Sequence, residues 1–186
     1  MLPFSTYDAA LGYDAFFAKF GKPADKPRWD RTRDAVALND AQKATLAGFK
    51  REVKIVVLAG AWCGDCAGQC PILEAFATAA PCLKVRYLDR DAFPEAQAEL
   101  KINGGNRVPV AVFFSEDGHE VARFGERTLA AYRKMAAEAT GEVCGSGIVS
   151  NGDGHFAAVV QDWLNEVERV QYILRLSPRL RRLHGD

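Results

Sequence analysis

The sequence predicts an α/β fold with a central four-stranded mixed sheet and helical extensions at both ends. Residues 54–59 form an unbroken, mainly β-branched aliphatic run, which is typical of a central strand buried on both faces. From residue 54 to residue 140 the patterns follow the order strand, helix, strand, helix, strand, strand, helix. The chain has 186 residues, of which 48% are hydrophobic, and this favours a single domain with one core.

The first 52 residues are predicted to be a helical extension that precedes the sheet. A stripe with helical spacing begins this segment and consists of Tyr7, Leu11, Asp14, Phe17 and Phe20. A Gly-Lys-Pro loop follows this stripe. Asn39 is then expected to cap a second helix that runs through Glu52.

The elements that follow residues 54–59 are bounded by proline, glycine and turn signals. They are a helix over 66–80 that Pro71 should kink and Pro81 should end, a strand over 85–88, a short helix over 94–101, and strands over 109–114 and 119–124 joined by an Asp117-Gly118 turn. Thr128 should cap a further helix that reaches Thr140. The first crossover is long enough for a parallel, right-handed unit.

The C-terminal segment, residues 142–186, combines a glycine-rich loop with an amphipathic helix that begins at Phe156. Trp163, Leu164 and Val167 share one face of this helix. Apolar side chains in such a stripe need cover, so we expect the helix to pack on the core and to meet the N-terminal helices.

Composition excludes several classes of protein. The 24 basic and 24 acidic side chains provide no broad basic field for nucleic acid. The apolar runs at 55–62 and 108–114 are too short to span a bilayer, and Asp8 and Asp14 interrupt the N-terminus, so neither a membrane span nor a secretory signal is expected. Five cysteines, an odd number, argue against a secreted disulfide framework. We therefore predict a cytoplasmic location.

The motif that carries chemistry is Trp62-Cys63-Gly64-Asp65-Cys66, at the junction of a buried strand and a helix. Unpaired amides and the helix dipole stabilise an anion there and lower a thiol pKa from about 8.5 to about 3.5–7.5. Cys63 is therefore expected to be substantially a thiolate at neutral pH. Cys66, three residues on, is within reach to attack a mixed disulfide formed on Cys63.

Three separated landmarks resemble the thioredoxin superfamily: Trp-Cys-x-x-Cys after a buried strand, Val108-Pro109 opening the next strand but one, and Gly125 after the hairpin. The resemblance covers residues 53–141 and is closest to a bacterial thioredoxin-like branch with extra terminal helices. It implies a three-layer thioredoxin-like core over 53–141, flanked by the extensions 1–52 and 142–186. It also implies a mixed sheet with residues 85–88 at one edge and 119–124 at the other.

The resemblance implies a thiol-disulfide oxidoreductase with Cys63 and Cys66 as catalytic residues. Pro109 is expected to be cis and to lie against the dithiol, Val108 to offer backbone groups to a substrate chain, and Trp62 to border the docking groove. No cofactor is expected beyond the redox-active disulfide. Since no nucleotide-binding glycine signature is present, electrons would come from a separate reductase or from glutathione.

The sequence also departs from the thioredoxin pattern. A buried aspartate and a lysine of the family are replaced here by Val57 and Tyr87, so the usual proton-transfer pair is missing. Asp65 stands where a proline is usual between the cysteines. It is expected to affect the pKa of Cys63, either as a local proton acceptor or by raising it through repulsion. Arg107 is either solvated or a group that stabilises the thiolate or binds a substrate carboxylate.

Two alternative functions remain open at the level of sequence. The thioredoxin-like groove could serve non-catalytic binding, with the terminal helices as a partner surface. Alternatively, Cys63, Cys66 and Cys70 with a distant histidine could bind zinc, and an iron–sulfur cluster that also uses Cys82 is less favoured because its spacing is unusual. Cys70 is expected to be a core side chain rather than a second disulfide partner, and Cys82 and Cys144 to be free thiols.

Overall fold

The computed structural model describes residues 1–140 and 154–185. Its four-stranded sheet consists of β1 (Val53–Ala59), β2 (Leu83–Asp89), β3 (Val110–Phe114) and β4 (Glu120–Gly125). The strand order is β2-β1-β3-β4, with β1 parallel to β2 and antiparallel to β3, and β3 antiparallel to β4. This mixed sheet confirms the predicted fold class, with the expected strands at the two edges.

The helices lie in the sequence before, between and after the strands. They are α1 (Ser5–Ala9), α2 (Tyr13–Phe20), α3 (Asp25–Asp34), α4 (Asp40–Ala47), α5 (Gly64–Ala79), α6 (Pro94–Glu99), α7 (Leu129–Thr140), α8 (His155–Arg175) and α9 (Pro178–His184). Strand β1 leads directly into α5, and α5 leads back to β2, which makes the predicted parallel unit. Pro71 lies inside α5 without ending it.

The N-terminal extension differs from the sequence-based expectation in three places. The single stripe from Tyr7 to Phe20 is divided between α1 and α2, because Leu11 pairs with Tyr87 through backbone hydrogen bonds of 2.9 and 2.7 Å and so covers the edge of β2. Helix α4 has the predicted Asn39 cap but ends at Ala47 instead of running through residue 52. Helix α3 was not predicted.

Helix α8 packs on the core, as its amphipathic pattern predicts. Trp163 is fully buried, and its ring meets the ring of Phe124 on β4 edge to face at 4.8 Å. The helix also contacts α4, α5 and α7. Gln161 accepts a 2.9 Å hydrogen bond from Gln42, which joins α8 to the N-terminal extension. Among the helices of residues 1–140 and 154–185, none has the length and apolar character that crossing a membrane requires.

Candidate active site

Cys63 occupies the N-cap position of α5, where the extended chain of β1 turns into the helix. Its N–H donates to the carbonyl of Gly60 at 3.0 Å, and its own carbonyl accepts from the N–H of Ala67 at 3.0 Å. The residue is 8% exposed, and its Sγ lies 3.9 Å from the carbonyl oxygen of Val108. The thiol therefore sits between the helix N-terminus and the backbone that precedes β3.

Cys66 lies in the first turn of α5 and is completely buried. Its Sγ accepts a hydrogen bond of 3.5 Å from the N–H of Gly60, in the loop that precedes the motif. Cys70 follows one helical turn later and is also buried, at 1% exposure. The two thiols of the motif thus differ in access, since only Cys63 retains contact with solvent.

The pKa of Cys63 corrects one sequence-based expectation. A hydrogen bond with the Cys66 thiol and burial raise the pKa of Cys63 above its usual value, whereas the N–H groups of Cys66 and Asp65 lower it. Burial is also the main cause that raises the pKa of Cys66. In the reduced dithiol, burial and the hydrogen bond with Cys66 therefore outweigh the stabilisation of a thiolate by the helix N-terminus. A buried thiol that shares a proton with its neighbour ionises with difficulty.

The Val108–Pro109 peptide bond is cis, as the family resemblance implied. Gly125 lies opposite Val110 in the β3–β4 ladder and has a φ of +153°, in the region that favours glycine. A Cβ atom at this position would lie 2.3 Å from the carbonyl oxygen of Pro109. Gly125 therefore allows β4 to pack closely on the proline segment beside Cys63.

Trp62 borders the dithiol and is 46% exposed. The guanidinium of Arg90 lies 4.7 Å from the centre of its ring, within the range of a cation–π contact. From α3, Arg28 donates to the Trp62 carbonyl at 2.8 Å, and the indole N–H of Trp29 donates to the Ala61 carbonyl at 3.0 Å. Helix α3 thus fixes the backbone that leads into the motif.

The Asp65 carboxylate lies in a charged network that extends from α5 to the loop after β4. Arg127 reaches its two oxygens at 2.5 and 3.2 Å. Arg127 also donates to Glu126 at 2.8 Å, and Glu126 accepts from the hydroxyl of Tyr132 at 3.0 Å. Arg107, two residues before Pro109, is 3.4 Å from the same Glu126 oxygen. This charged network links Asp65, which lies between the two cysteines in the sequence, to Arg107, which precedes Val108 and Pro109.

Gln69 connects the site to the C-terminal helix. Its amide donates to the Glu126 carbonyl at 2.9 Å, while its side-chain oxygen accepts from the Trp163 indole at 3.3 Å. Both Gln69 and the Trp163 side chain are buried, so these bonds satisfy polar groups that water does not reach. Helix α8 therefore contributes to the position of the segment after β4.

The positions that replace the thioredoxin acid and lysine are filled by core packing. Val57 and Tyr87 are neighbours in the β1–β2 ladder, and both are completely buried. The Tyr87 hydroxyl donates to Glu74 of α5 at 2.8 Å. Burial raises the pKa of Glu74, and the hydrogen bond from Tyr87 lowers it only partly back. Within residues 1–140 and 154–185, neither Tyr87 nor Glu74 is hydrogen-bonded to the Cys63 or Cys66 thiol.

The zinc alternative finds no support in the part of the chain that the structure describes. Within residues 1–140 and 154–185, no group of three or more histidine, cysteine, aspartate or glutamate side chains is placed to hold a metal ion. Cys70 is a buried core thiol, as expected, and Cys82 is a partly buried free thiol before β2. Cys144 lies outside the described residues.

The sequence analysis assigned five residues to one site: Trp62, Cys63, Cys66, Val108 and Pro109. In the structure the segment that contains the two cysteines lies against the Val108–Pro109 segment. The sequence analysis missed the residues that hold this site in place: Arg28, Trp29, Gln69, Glu126 and Arg127. One local signal for two of them was available, since Glu126 and Arg127 directly follow the landmark Gly125. Arg28 and Trp29 lie in a charged segment with no apolar periodicity, and Gln69 lies among apolar helix positions without any distinguishing pattern.

A parallel β1–α5–β2 unit joined to the β3–β4 hairpin, with a Cys-x-x-Cys pair beside a cis-proline, defines a protein of the thioredoxin fold. The family model described as thioredoxin matches residues 13–140. This match covers more than half of the chain, and the chain therefore belongs to the thioredoxin family.

A known thioredoxin is similar to this chain in sequence, and two solved structures are similar to it in fold. The thioredoxin of Chlamydia muridarum is 37% identical over 62 residues, which are 33% of this chain and 57% of that protein, so the chain spans little more than half the length of this relative. A protein of unknown function from Pseudomonas aeruginosa has a TM-score of 0.71 and 16% identity, with 91% of this chain and 97% of that chain covered. An HIV epitope-scaffold has a TM-score of 0.68 and 19% identity, with 89% and 96% covered. These two likenesses show the fold, including much of the terminal helices.

Proposed function

We propose that this protein is a thiol-disulfide oxidoreductase that exchanges the Cys63–Cys66 dithiol or disulfide with protein or small-molecule disulfides. The observation that carries the proposal is the position of Cys63. Its thiol is at the N-cap of α5, 3.9 Å from the carbonyl of the residue before a cis-proline, and a second thiol lies one turn deeper. Membership of the thioredoxin family supports the same redox role.

In the proposed reaction, the Cys63 thiolate attacks one sulfur of a substrate disulfide. A Cys63–substrate disulfide forms, the substrate S–S bond breaks, and the other substrate sulfur leaves as a thiolate that takes a proton. The Cys66 thiolate then attacks the Cys63 sulfur, which forms the Cys63–Cys66 disulfide and releases the second substrate thiol. Two electrons thus pass from the dithiol to the substrate, and the reverse sequence oxidises a substrate dithiol.

Residues around Cys63 supply the proposed docking groove. Val108 would offer its backbone to an extended substrate segment, Pro109 would shape the floor, and the exposed ring of Trp62 would form one border. Arg107 is exposed over 53% of its side chain, so it is accessible to a substrate carboxylate as well as to Glu126. A separate reductase or glutathione would return electrons to the disulfide.

The proposal extends to the location of the protein. The chain has five cysteines, an odd number, which argues against the paired disulfide framework of a secreted domain. We therefore propose a cytoplasmic location.

Reduction of insulin by dithiothreitol tests the proposed activity. The protein at micromolar concentration is expected to accelerate insulin precipitation clearly above the rate with dithiothreitol alone. Cys70→Ser is the matched control, because it removes a buried thiol of the same helix and should leave turnover nearly intact. No acceleration by the correctly folded protein would overturn the proposal and would favour a non-catalytic binding module. This module is the second candidate because Val57 and Tyr87 replace the family's acid and lysine.

A further inference from the structure

An acidic residue inside the dithiol motif poses an electrostatic problem. Asp65 is two residues after Cys63 in the first turn of α5. Its backbone N–H lowers the pKa of Cys63. Its carboxylate has the same charge sign as a Cys63 thiolate, so an unpaired Asp65 would oppose ionisation of Cys63. The position of this carboxylate is therefore important for any reaction that begins with the Cys63 thiolate.

The structure places a cation on the Asp65 carboxylate. Arg127 binds both oxygens, at 2.5 and 3.2 Å, from the segment between β4 and α7. The Asp65 side chain is 37% exposed and the Arg127 side chain 18%, so water screens this pair only in part. A planar guanidinium that contacts two carboxylate oxygens fixes direction as well as charge, which a single-point contact does not.

Arg127 is also held by a second carboxylate, that of Glu126, which has two further partners of its own. Glu126, whose side chain is 6% exposed, accepts from Arg127 at 2.8 Å. The same Glu126 oxygen accepts from Tyr132 of α7 at 3.0 Å and lies 3.4 Å from Arg107. These four charged side chains, Asp65, Glu126, Arg107 and Arg127, carry no net charge together. Removal of Arg127 alone would leave one net negative charge beside the dithiol.

We propose that Arg127 is a positioning residue of the dithiol: it holds the Asp65 carboxylate against the β4–α7 segment and compensates its charge, so that Cys63 can form a thiolate beside an acidic neighbour. The inference rests on the proposed function, since it gives Arg127 a role in disulfide exchange. The role of Arg127 depends on Asp65, because the guanidinium contacts the Asp65 carboxylate and neither sulfur of the dithiol.

The test is the pH profile of Cys63 alkylation by iodoacetamide in the reduced protein, with the modified cysteine identified by fragment mass spectrometry. In Arg127→Gln, the unpaired Asp65 should displace the profile to higher pH and slow alkylation of Cys63 at pH 8 by about three- to tenfold. In Asp65→Asn, alkylation of Cys63 should be at least as fast as in the protein without substitutions. In the double variant, loss of Arg127 should slow alkylation less than about twofold relative to Asp65→Asn.

Arg123→Gln is the matched control variant. Arg123 belongs to β4 and pairs with Glu120 and Glu99, away from the dithiol, so its replacement should leave the Cys63 profile unchanged. Melting temperatures of all variants verify that each is folded. A general structural effect of arginine loss would move the Arg123→Gln profile as well, which would overturn the inference.

Two further outcomes would also overturn it. An unchanged profile in Arg127→Gln would show that Asp65 needs no compensation, and a double variant as slow as Arg127→Gln would show that Arg127 acts on Cys63 without Asp65. The alkylation assay requires no disulfide substrate, so it separates this inference from the proposed function. A protein with the expected profiles that does not accelerate insulin reduction would refute disulfide exchange and still support control of Cys63 by the Asp65–Arg127 pair.

Discussion

Two acidic side chains of α5 have opposite surroundings. Asp65, in the first turn, is partly exposed and lies on the guanidinium of Arg127. Glu74, about two and a half turns further along, lies between α5 and β2 and accepts a hydrogen bond from the neutral hydroxyl of Tyr87. The first acid is two residues from Cys63, and the second is hydrogen-bonded to Tyr87, which stands where the thioredoxin pattern has a lysine.

The difference teaches where charge acts on the thiols of this protein. A carboxylate that is paired with a cation can stay beside the helix N-terminus without adding net charge. A partly buried carboxylate whose hydrogen-bond donor is a neutral hydroxyl takes up a proton more readily, and burial accordingly raises the pKa of Glu74, although Tyr87 and the charge of Arg33 lower it in part. Asp65 should therefore influence thiol chemistry, whereas Glu74 should influence stability and its dependence on pH.

The largest expected effect is the loss of disulfide exchange when a cysteine beside Asp65 is replaced. It tests the difference between the two thiols. Cys63→Ser should reduce disulfide exchange to the rate of the uncatalysed reaction, because the nucleophile is lost. Cys66→Ser should still attack but accumulate as a mixed disulfide between Cys63 and its substrate, which mass spectrometry identifies. Because the pKa of Cys63 is raised, its alkylation rate should increase about tenfold per pH unit from pH 6 to pH 8 instead of reaching a plateau.

Three observations would contradict this assignment. One is the absence of a trapped species in Cys66→Ser, and another is a Cys63 alkylation rate at pH 8 no higher than that of the buried Cys66. The third is stoichiometric zinc in protein purified under reducing conditions, which would favour the metal-binding alternative.

The second prediction concerns stability at the interior acid. Tyr87→Phe removes the hydroxyl that Glu74 accepts from and leaves a partly buried carboxyl group without this partner, so the free energy of unfolding should fall by about 1–3 kcal/mol. Insulin reduction by the folded variant should be unchanged. Urea unfolding measures the loss, and Tyr172→Phe, which alters a tyrosine that is 59% exposed, should change stability by less than about 0.5 kcal/mol. A Tyr87→Phe variant that loses exchange activity while remaining folded would place this site within the redox machinery.

The sheet and the dithiol could be predicted because their signals are local. The buried β1 run, the Asp117-Gly118 turn and the cis-proline segment are each encoded by a few adjacent residues. Helix α3 has no such signal, because only Trp29 and Asp25 of its ten residues are buried and the rest is strongly polar. The division between α1 and α2 also depends on a partner far away, since Leu11 pairs with the backbone of β2.

The charged network of the site was unpredictable for a related reason. Asp65 and Arg127 are separated by 62 positions in the sequence, and no periodic pattern joins them. The raised pKa of Cys63 has the same origin, because position at a helix N-terminus can be read from sequence, whereas burial and the contact with Cys66 depend on packing. A sequence therefore indicates a candidate nucleophile more easily than it indicates the contacts that set the pKa of that group.

The smallest expected effect separates the two acids by their response to pH. Because the pKa of Glu74 is raised in the folded state, the folded protein binds more protons than the unfolded chain between the ordinary pKa and the raised one. The free energy of unfolding should therefore fall as pH rises through this window, and the loss should level off above it. Glu74→Gln keeps an oxygen that can accept from Tyr87 but cannot ionise.

Urea unfolding of Glu74→Gln and of the unmodified protein from pH 4 to pH 8 measures this difference. The variant should gain stability relative to the unmodified protein as pH rises, by less than about 1 kcal/mol in total, with most of the gain above pH 4.5. Parallel stability curves would show that the Tyr87 hydroxyl and the nearby Arg33 fully offset the burial of Glu74. A relative gain toward low pH would reverse the sign and show that Glu74 stabilises the fold as a charged group.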